Sequence, residues 1–244
     1  MPEKKENKTI WLAASMLCAD QAYLLRDIEK IGAAGVDLMH IDIMDGHFVP
    51  NMTGGLDVAN CIRRFSKAPC DFHLMVQDPN YLIDALRLRE GERLCFHIEN
   101  AKNPLACIEK IRKTGAQAGI AMNPGTPVSS VAPYLPLLDY LLVLIVNPGF
   151  KGQPIIARTL EKLTMLRDMR DADGLKLRLF IDGAVTLDNM IEIVEAGADD
   201  LVCGPFTCFN EALGGIEPTL SKVKETLLLN GYKINCGSEG GELK

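Results

Sequence analysis

His40 and Asp42 stand two residues apart in Met39-His40-Ile41-Asp42-Ile43-Met44-Asp45-Gly46, inside an apolar, β-branched run. On a strand, residues i and i+2 share a face, so this imidazole and this carboxylate point the same way. His73, in Phe72-His73-Leu74-Met75, and Asp182, in Phe180-Ile181-Asp182-Gly183, end two further apolar runs. Two imidazoles and two carboxylates brought together would form a ligand set for one divalent metal ion: Zn²⁺, Fe²⁺, Mn²⁺ or Co²⁺. A single strand-end histidine is more often a hydrogen-bonded structural residue, and an aspartate before glycine is often only a turn. Four such residues at the strand ends of one sheet are harder to assign to chance.

The elements that must position them are short β-branched runs alternating with helical periods. Strands are predicted over Leu12–Leu17, Val36–Ile43, Cys70–Met75, Leu94–Ile98, Ala118–Met122, Tyr140–Val146, Leu177–Asp182 and Asp200–Cys203. Between them, Leu24, Ile28 and Ile31 follow an i, i+4, i+7 stripe, and Leu187, Met190, Ile191 and Val194 follow i, i+3, i+4, i+7. Gly35, Gly91, Gly115 and Gly197 each fall after a helical segment and before a strand, where a left-handed residue ends a helix. This alternation implies a parallel sheet, either open and doubly wound or closed. The count of eight strands and the chain length favour α/β architecture of the closed kind, a (β/α)₈ TIM barrel, whose sites lie at the carboxyl ends of its strands.

The 244 residues suit one large domain, with 48% hydrophobic residues for a core and 24% charged. The reading is a polar extension over 1–9, a single barrel over 10–231 and a Gly-rich, disordered tail over 232–244. A net charge of −6 gives no reason to expect nucleic acid or an anionic membrane as partner. Met1 to Thr9 has no apolar signal-peptide core, and the longest apolar run, Leu141 to Val146, is far shorter than a membrane span. The eight cysteines are scattered without a CxxC pair, so a reduced, cytoplasmic protein is the expectation.

From about Leu12 to Val223 the chain resembles the ribulose-phosphate 3-epimerase family. The resemblance is carried by HIDIMDGHFVPNMT (His40–Thr53), DFHLMV (Asp71–Val76), GIAMNPGTP (Gly119–Pro127), VNPGFKGQ (Val146–Gln153) and IDGAVT (Ile181–Thr186). It implies a (β/α)₈ barrel of the ribulose-phosphate-binding type, with His40, Asp42, His73 and Asp182 as ligands of one divalent ion. It also implies that Asp42 and Asp182 are the acid and base. One removes the C3 proton of D-ribulose 5-phosphate and the other returns a proton to the opposite face, giving D-xylulose 5-phosphate in the pentose phosphate pathway. The metal would act as a Lewis acid on the enediolate formed between these steps.

The resemblance further places Ser15, Met44, His73 and Met75 against the substrate, although methionines in apolar strands serve equally as core. A third methionine of the family pattern is replaced by Leu144. Its phosphate grip would be built from Gly149, Phe150 and Gly152, from Gly183 and Ala184, and from Gly204. Lys151 stands where the pattern has glycine or a small residue, Ala184 where it has glycine or serine, and Pro205 where it has serine or threonine. Proline has neither an N–H nor a hydroxyl, so two phosphate donors are lost together. These departures keep a hexulose phosphate such as D-allulose 6-phosphate open as substrate, and likewise a non-catalytic sugar-phosphate-binding barrel. A lyase on the same scaffold lacks the strand-end lysine that Schiff-base chemistry needs. His47, in the long loop after the second strand, and His97, with Glu99 beside it, are read either as part of the site or as structural. Related enzymes are often homo-oligomers, and no interface is evident in this sequence.

Overall fold

The protein is described by a computed structural model over residues 8–235. Eight parallel strands form the core: β1 (Thr9–Ser15), β2 (Leu38–Met44), β3 (Cys70–Met75), β4 (Arg93–His97), β5 (Gln117–Met122), β6 (Tyr140–Leu144), β7 (Arg178–Asp182) and β8 (Asp200–Cys203). Each pairs with its successor, and β8 pairs with β1, which also pairs with β2, so the sheet closes on itself. The helices α1 (Leu24–Ala34), α2 (Gly55–Phe65), α3 (Pro79–Ala85), α4 (Pro104–Arg112), α5 (Thr159–Ala172), α6 (Met190–Ala196) and α7 (Ile216–Leu229) cover the outside. This is the expected (β/α)₈ barrel.

Two features differ from the sequence expectation. The crossover from β5 to β6 has short 3₁₀ turns, Val128–Ser130 and Ala132–Leu137, instead of an α-helix. Pro127, Pro133 and Pro136 remove N–H donors there, so an i to i−4 ladder cannot propagate. The ends of the barrel also reach further than 10 and 231. Thr9 and Ile10 pair with a ninth short strand, β9 (Lys233–Ile234), and Asn235 donates its side-chain N–H to Asp37 Oδ1 at 2.7 Å. Residues 8–9 and 232–235 therefore belong to the ordered structure, while 1–7 and 236–244 lie outside the described residues. Among the described residues no helix is long and apolar enough to cross a membrane.

The period of two along each strand sorts the side chains into two compartments. Outward residues such as Leu12, Ile41, Phe72, Phe96, Ile120 and Val143 are buried against the helices. Inward residues fill the barrel in layers. At the amino ends of the strands, Arg93 lies 4.6 Å over the Trp11 ring and donates to Asp200 Oδ2 at 2.8 Å, while Arg178 Nε donates to Asp200 Oδ1 at 2.6 Å. Above them Ala13, Cys95, Leu142, Phe180 and Val202 form an apolar plug. The histidines and carboxylates sit on top, at the carboxyl ends.

Gly119 on β5 leaves the space that the Tyr140 ring occupies, since a Cβ there would lie 2.5 Å from Tyr140 Cζ. That ring carries a hydroxyl that donates to Asp71 Oδ1 at 2.7 Å, directly beneath the site. Gly119→Ala is therefore expected to lower the unfolding free energy by about 1–3 kcal/mol through overpacking. Urea denaturation measures this, and an unchanged midpoint at unchanged slope would contradict the packing account.

Candidate metal and catalytic site

His40 and Asp42 on β2, His73 on β3 and Asp182 at the end of β7 each offer one ligand atom, and the four atoms lie within 4.8 Å of one another. The arrangement follows from the register: Asp42 is opposite His73 across the β2–β3 pair, and His40 is opposite Asp71. His40 Nε2 is 3.2 Å from Asp42 Oδ1 and 3.7 Å from Asp182 Oδ2. His73 Nδ1 is 3.0 Å from the same Asp42 oxygen and 3.7 Å from Asp182 Oδ2. Both imidazoles are fully buried and Asp42 nearly so, whereas the Asp182 side chain is partly open to the mouth.

His40 Nε2 is a buried polar atom without a hydrogen-bond partner. Its other nitrogen, Nδ1, donates to Asp71 Oδ2 at 2.6 Å, so Nε2 is the atom turned toward the carboxylates. An orphaned imidazole nitrogen facing two carboxylates and a second imidazole is what a cation would satisfy, and the nitrogen and oxygen donors suit a borderline divalent ion. The four residues therefore fit such an ion. The charges agree with this geometry. Burial alone would lower the His40 pKa, but the charge of Asp42 and the contacts to Asp182, Asp42 and Asp71 raise it well above the ordinary value. Burial would raise Asp42, and the His40 charge with the contacts of His40 and His73 outweighs it and holds that carboxyl below its usual range.

Each histidine is also held from behind. Asp71 accepts from both His40 and the Tyr140 hydroxyl. His73 Nε2 faces His97 Nε2 at 2.9 Å, and His97 Nδ1 is 2.9 Å from Glu99 Oε2. Burial is the largest influence on His97 and brings it down to about 4, so it is neutral near pH 7. Glu99 is brought down to about 2, because the hydrogen bonds and charge it receives outweigh its burial. Of the two uncertain histidines, His97 is thus in contact with the site. His47 is exposed and hydrogen-bonds only locally, to the Asp45 carbonyl at 3.0 Å.

Above these residues opens a cleft. Its walls include Ser15, Asp42, Met44, Met75 and Asp182, and at its far end Gly149, Phe150, Gly152, Gly183, Ala184 and Gly204. His40 and His73 lie beneath the floor. Ser15 Oγ donates to Asp42 Oδ2 at 3.4 Å. Leu144, Lys151 and Pro205, which with Ala184 are the departures from the resemblance pattern, also line the cleft. The loop between β2 and α2 is tied down by Asn51, whose amide donates to the Gly149 carbonyl at 2.6 Å, and by Thr53, whose hydroxyl donates to the Asp42 carbonyl at 2.9 Å. Ala184 has φ +50°, a left-handed conformation that strains any residue with a Cβ.

Sequence reasoning did not single out Asp71 or Tyr140. Asp71 carried the same signal as His40 and Asp42, since it stands two residues before His73 on one strand face. Tyr140 carried none, because its role depends on the space left by Gly119 on the neighbouring strand.

A sequence model of the ribulose-phosphate 3 epimerase family matches residues 11–207. Similar proteins include ribulose-phosphate 3-epimerase of Aquifex aeolicus, 38% identical over 79% of this chain and 87% of that one. The enzymes of the same name from Treponema pallidum and Escherichia coli K12 are each 39% identical over 81% of this chain, covering 90% and 88% of theirs. Among solved structures, thiamine phosphate pyrophosphorylase from Pyrococcus furiosus aligns over 92% of this chain and 98% of its own, with TM-score 0.58 and 11% identity. A mutant tryptophan synthase α-subunit from the same organism aligns over 91% of this chain and 98% of its own, with TM-score 0.60 and 14% identity. At such identities these two share the fold alone.

Two expectations follow from the geometry. Asp71→Asn can accept from only one of its two donors, and should weaken Zn²⁺ binding about 10–100-fold by loosening His40. Calorimetric titration reads this, and unchanged affinity would show that Asp71 does not orient the ligand. Ala184→Gly should raise the unfolding free energy by about 0.5–1 kcal/mol by relieving the left-handed alanine. A lower thermal midpoint would contradict the strain.

Proposed function

The chain belongs to the ribulose-phosphate 3-epimerase family, and on that premise we propose that it inverts C3 of a ketose phosphate, D-ribulose 5-phosphate, by moving a proton between two carboxylates. It is an isomerase acting on carbohydrate phosphates. The observation that carries the reading is the pair Asp42 and Asp182 at the floor of the cleft, with His40 and His73 converging on both.

A C3 proton next to a ketone is weakly acidic, so its removal needs a placed base and a stabilised enediolate. One of the two carboxylates takes the proton and leaves the enediolate. The other, as the carboxylic acid, donates a proton to the opposite face, so no net oxidation occurs and the partners exchange roles in the reverse reaction. His40, Asp42, His73 and Asp182 would hold a divalent ion, which when bound supplies Lewis-acid stabilisation of the developing oxyanion. Burial of Asp42 and of both imidazoles keeps water from competing for these contacts. Ser15 fixes Asp42 from the cleft side. Met44 and Met75, packed with Val49, form an apolar wall beside the reacting carbon.

The far end of the cleft is read as the phosphate pocket, formed by loops after three strands in the manner common to such barrels. Its chemistry is unusual: Pro205 contributes no N–H, and Lys151 brings a point charge. Together with Leu144 on the wall, this supports a second reading in which a hexulose phosphate such as D-allulose 6-phosphate is the better substrate.

Incubation with each sugar phosphate in deuterium oxide tests both. The epimerase exchanges the C3 hydrogen with solvent, and the sugar with the larger kcat/KM is the substrate. If neither sugar takes up deuterium, the reading is wrong. Asp182→Asn and Asp42→Asn should each lower turnover by about 10²–10⁴-fold. A variant that still turns over normally would remove that carboxylate from the proton path.

A further inference from the structure

The segment Met122-Asn123-Pro124-Gly125-Thr126 is one of the strongest stretches of resemblance in the chain, yet it contributes nothing to the cleft walls described above. It wraps Glu99 instead. The backbone N–H of Asn123 donates to Glu99 Oε1 at 2.8 Å, and the Thr126 hydroxyl donates to the same oxygen. The turn is fastened from outside by Lys162 on α5, whose ammonium donates to the carbonyls of Asn123, Pro124 and Thr126.

We propose that Glu99 and His97, anchored by this turn, are positioning residues that hold His73 in the tautomer with its hydrogen on Nε2, leaving Nδ1 bare as the ligand atom. The inference rests on the metal-site reading given above. The direction of the chain follows from its outer end. Glu99 Oε2 is a carboxylate oxygen and can only accept, so His97 Nδ1, at 2.9 Å, must carry the hydrogen. A neutral imidazole then has a bare Nε2, which can only accept from the His73 Nε2–H at 2.9 Å. His73 Nδ1 is left facing Asp42 Oδ1 at 3.0 Å and Asp182 Oδ2 at 3.7 Å, acceptors that a cation held among them would reconcile.

The opposite wiring, with hydrogens on His97 Nε2 and His73 Nδ1, would set a bare imidazole nitrogen against the Glu99 carboxylate, two acceptors face to face. His73 and His97 are buried to within 1% exposure, so no solvent can repair such a mismatch. The His97 ring is also clamped by Phe48, with centroids 4.5 Å apart, so it cannot readily turn away. The second nitrogen of each histidine in the site thus ends on a carboxylate: His40 directly on Asp71, and His73 through His97 on Glu99. Such partners fix the ring and raise the basicity of the ligand nitrogen.

The test compares His97→Gln with His97→Leu. A glutamine amide can accept from His73 and donate to Glu99, whereas leucine does neither. Zn²⁺ titration calorimetry on folded, metal-stripped protein should show His97→Leu weakened by about 10–100-fold, with His97→Gln close to the parent. Long-range ¹H–¹⁵N spectra of the unsubstituted, Zn²⁺-loaded protein read the tautomer directly, whatever the variants do. A hydrogen on His73 Nε2 with none on Nδ1 is expected. A hydrogen on Nδ1, or equal Zn²⁺ affinity in the parent and His97→Leu, overturns the positioning role alone. A parent that takes up no Zn²⁺, Mn²⁺ or Co²⁺ overturns the metal reading, and the role proposed here falls with it.

Discussion

Two carboxylates and two imidazoles share a space under 5 Å across inside a buried barrel mouth, and that crowding is the constraint around which the rest is arranged. Negative charges so close together, with little water to screen them, require protons or a cation between them. In the protein by itself the response is visible at His40, whose pKa is driven up by the surrounding carboxylates. A divalent ion would replace that proton and satisfy the orphaned His40 Nε2 at the same time. Such a site holds its shape only if the ligands cannot swing apart, and the fold secures each histidine through its far nitrogen.

The barrel separates this chemistry from the structure that bears it. At the amino ends of the strands, Arg93 and Arg178 both donate to Asp200 and stack on the Trp11 ring. An apolar plug around Leu142 and Phe180 lies between most of that network and the site, while the Tyr140 ring, 5.4 Å from Arg93, reaches past it to Asp71. The loops at the carboxyl end, which lie apart from that network, can therefore vary while the foundation keeps its form. This is the usual division of labour in such barrels, with loops at one end carrying function and the other end carrying stability.

The far end of the cleft shows that freedom in use. Ala184 keeps a left-handed backbone where glycine would be unstrained, and Gly183 beside it has φ +99° with Val146 filling the space a Cβ would need. A turn that retains its conformation despite an unfavourable residue is held by its surroundings, here by Asn189, whose amide donates to the Ala184 carbonyl at 2.8 Å. Pro205 and Lys151 alter the donors available at that end, while the candidate metal site below keeps its full set of residues.

Much of this was legible in the linear chain. The strand periods placed all eight barrel strands, with β3 and β8 at their observed limits, and the i, i+2 rule put His40 and Asp42 on one face before any contact was known. These features are local: they depend on which residues alternate and where a glycine or proline interrupts. What only the tertiary structure decided were relations between distant strands. Asp71 meets His40 because β2 and β3 pair in one register, Tyr140 reaches Asp71 because Gly119 gives way on β5, and His97 meets His73 across β3 and β4. The short pairing of Thr9–Ile10 with Lys233–Ile234 was likewise invisible, because two residues are too few for Lys233–Ile234 to signal a strand by themselves. Residue types thus determined which chemistry the chain could perform, while closure of the sheet decided which nitrogen of each histidine is free to perform it.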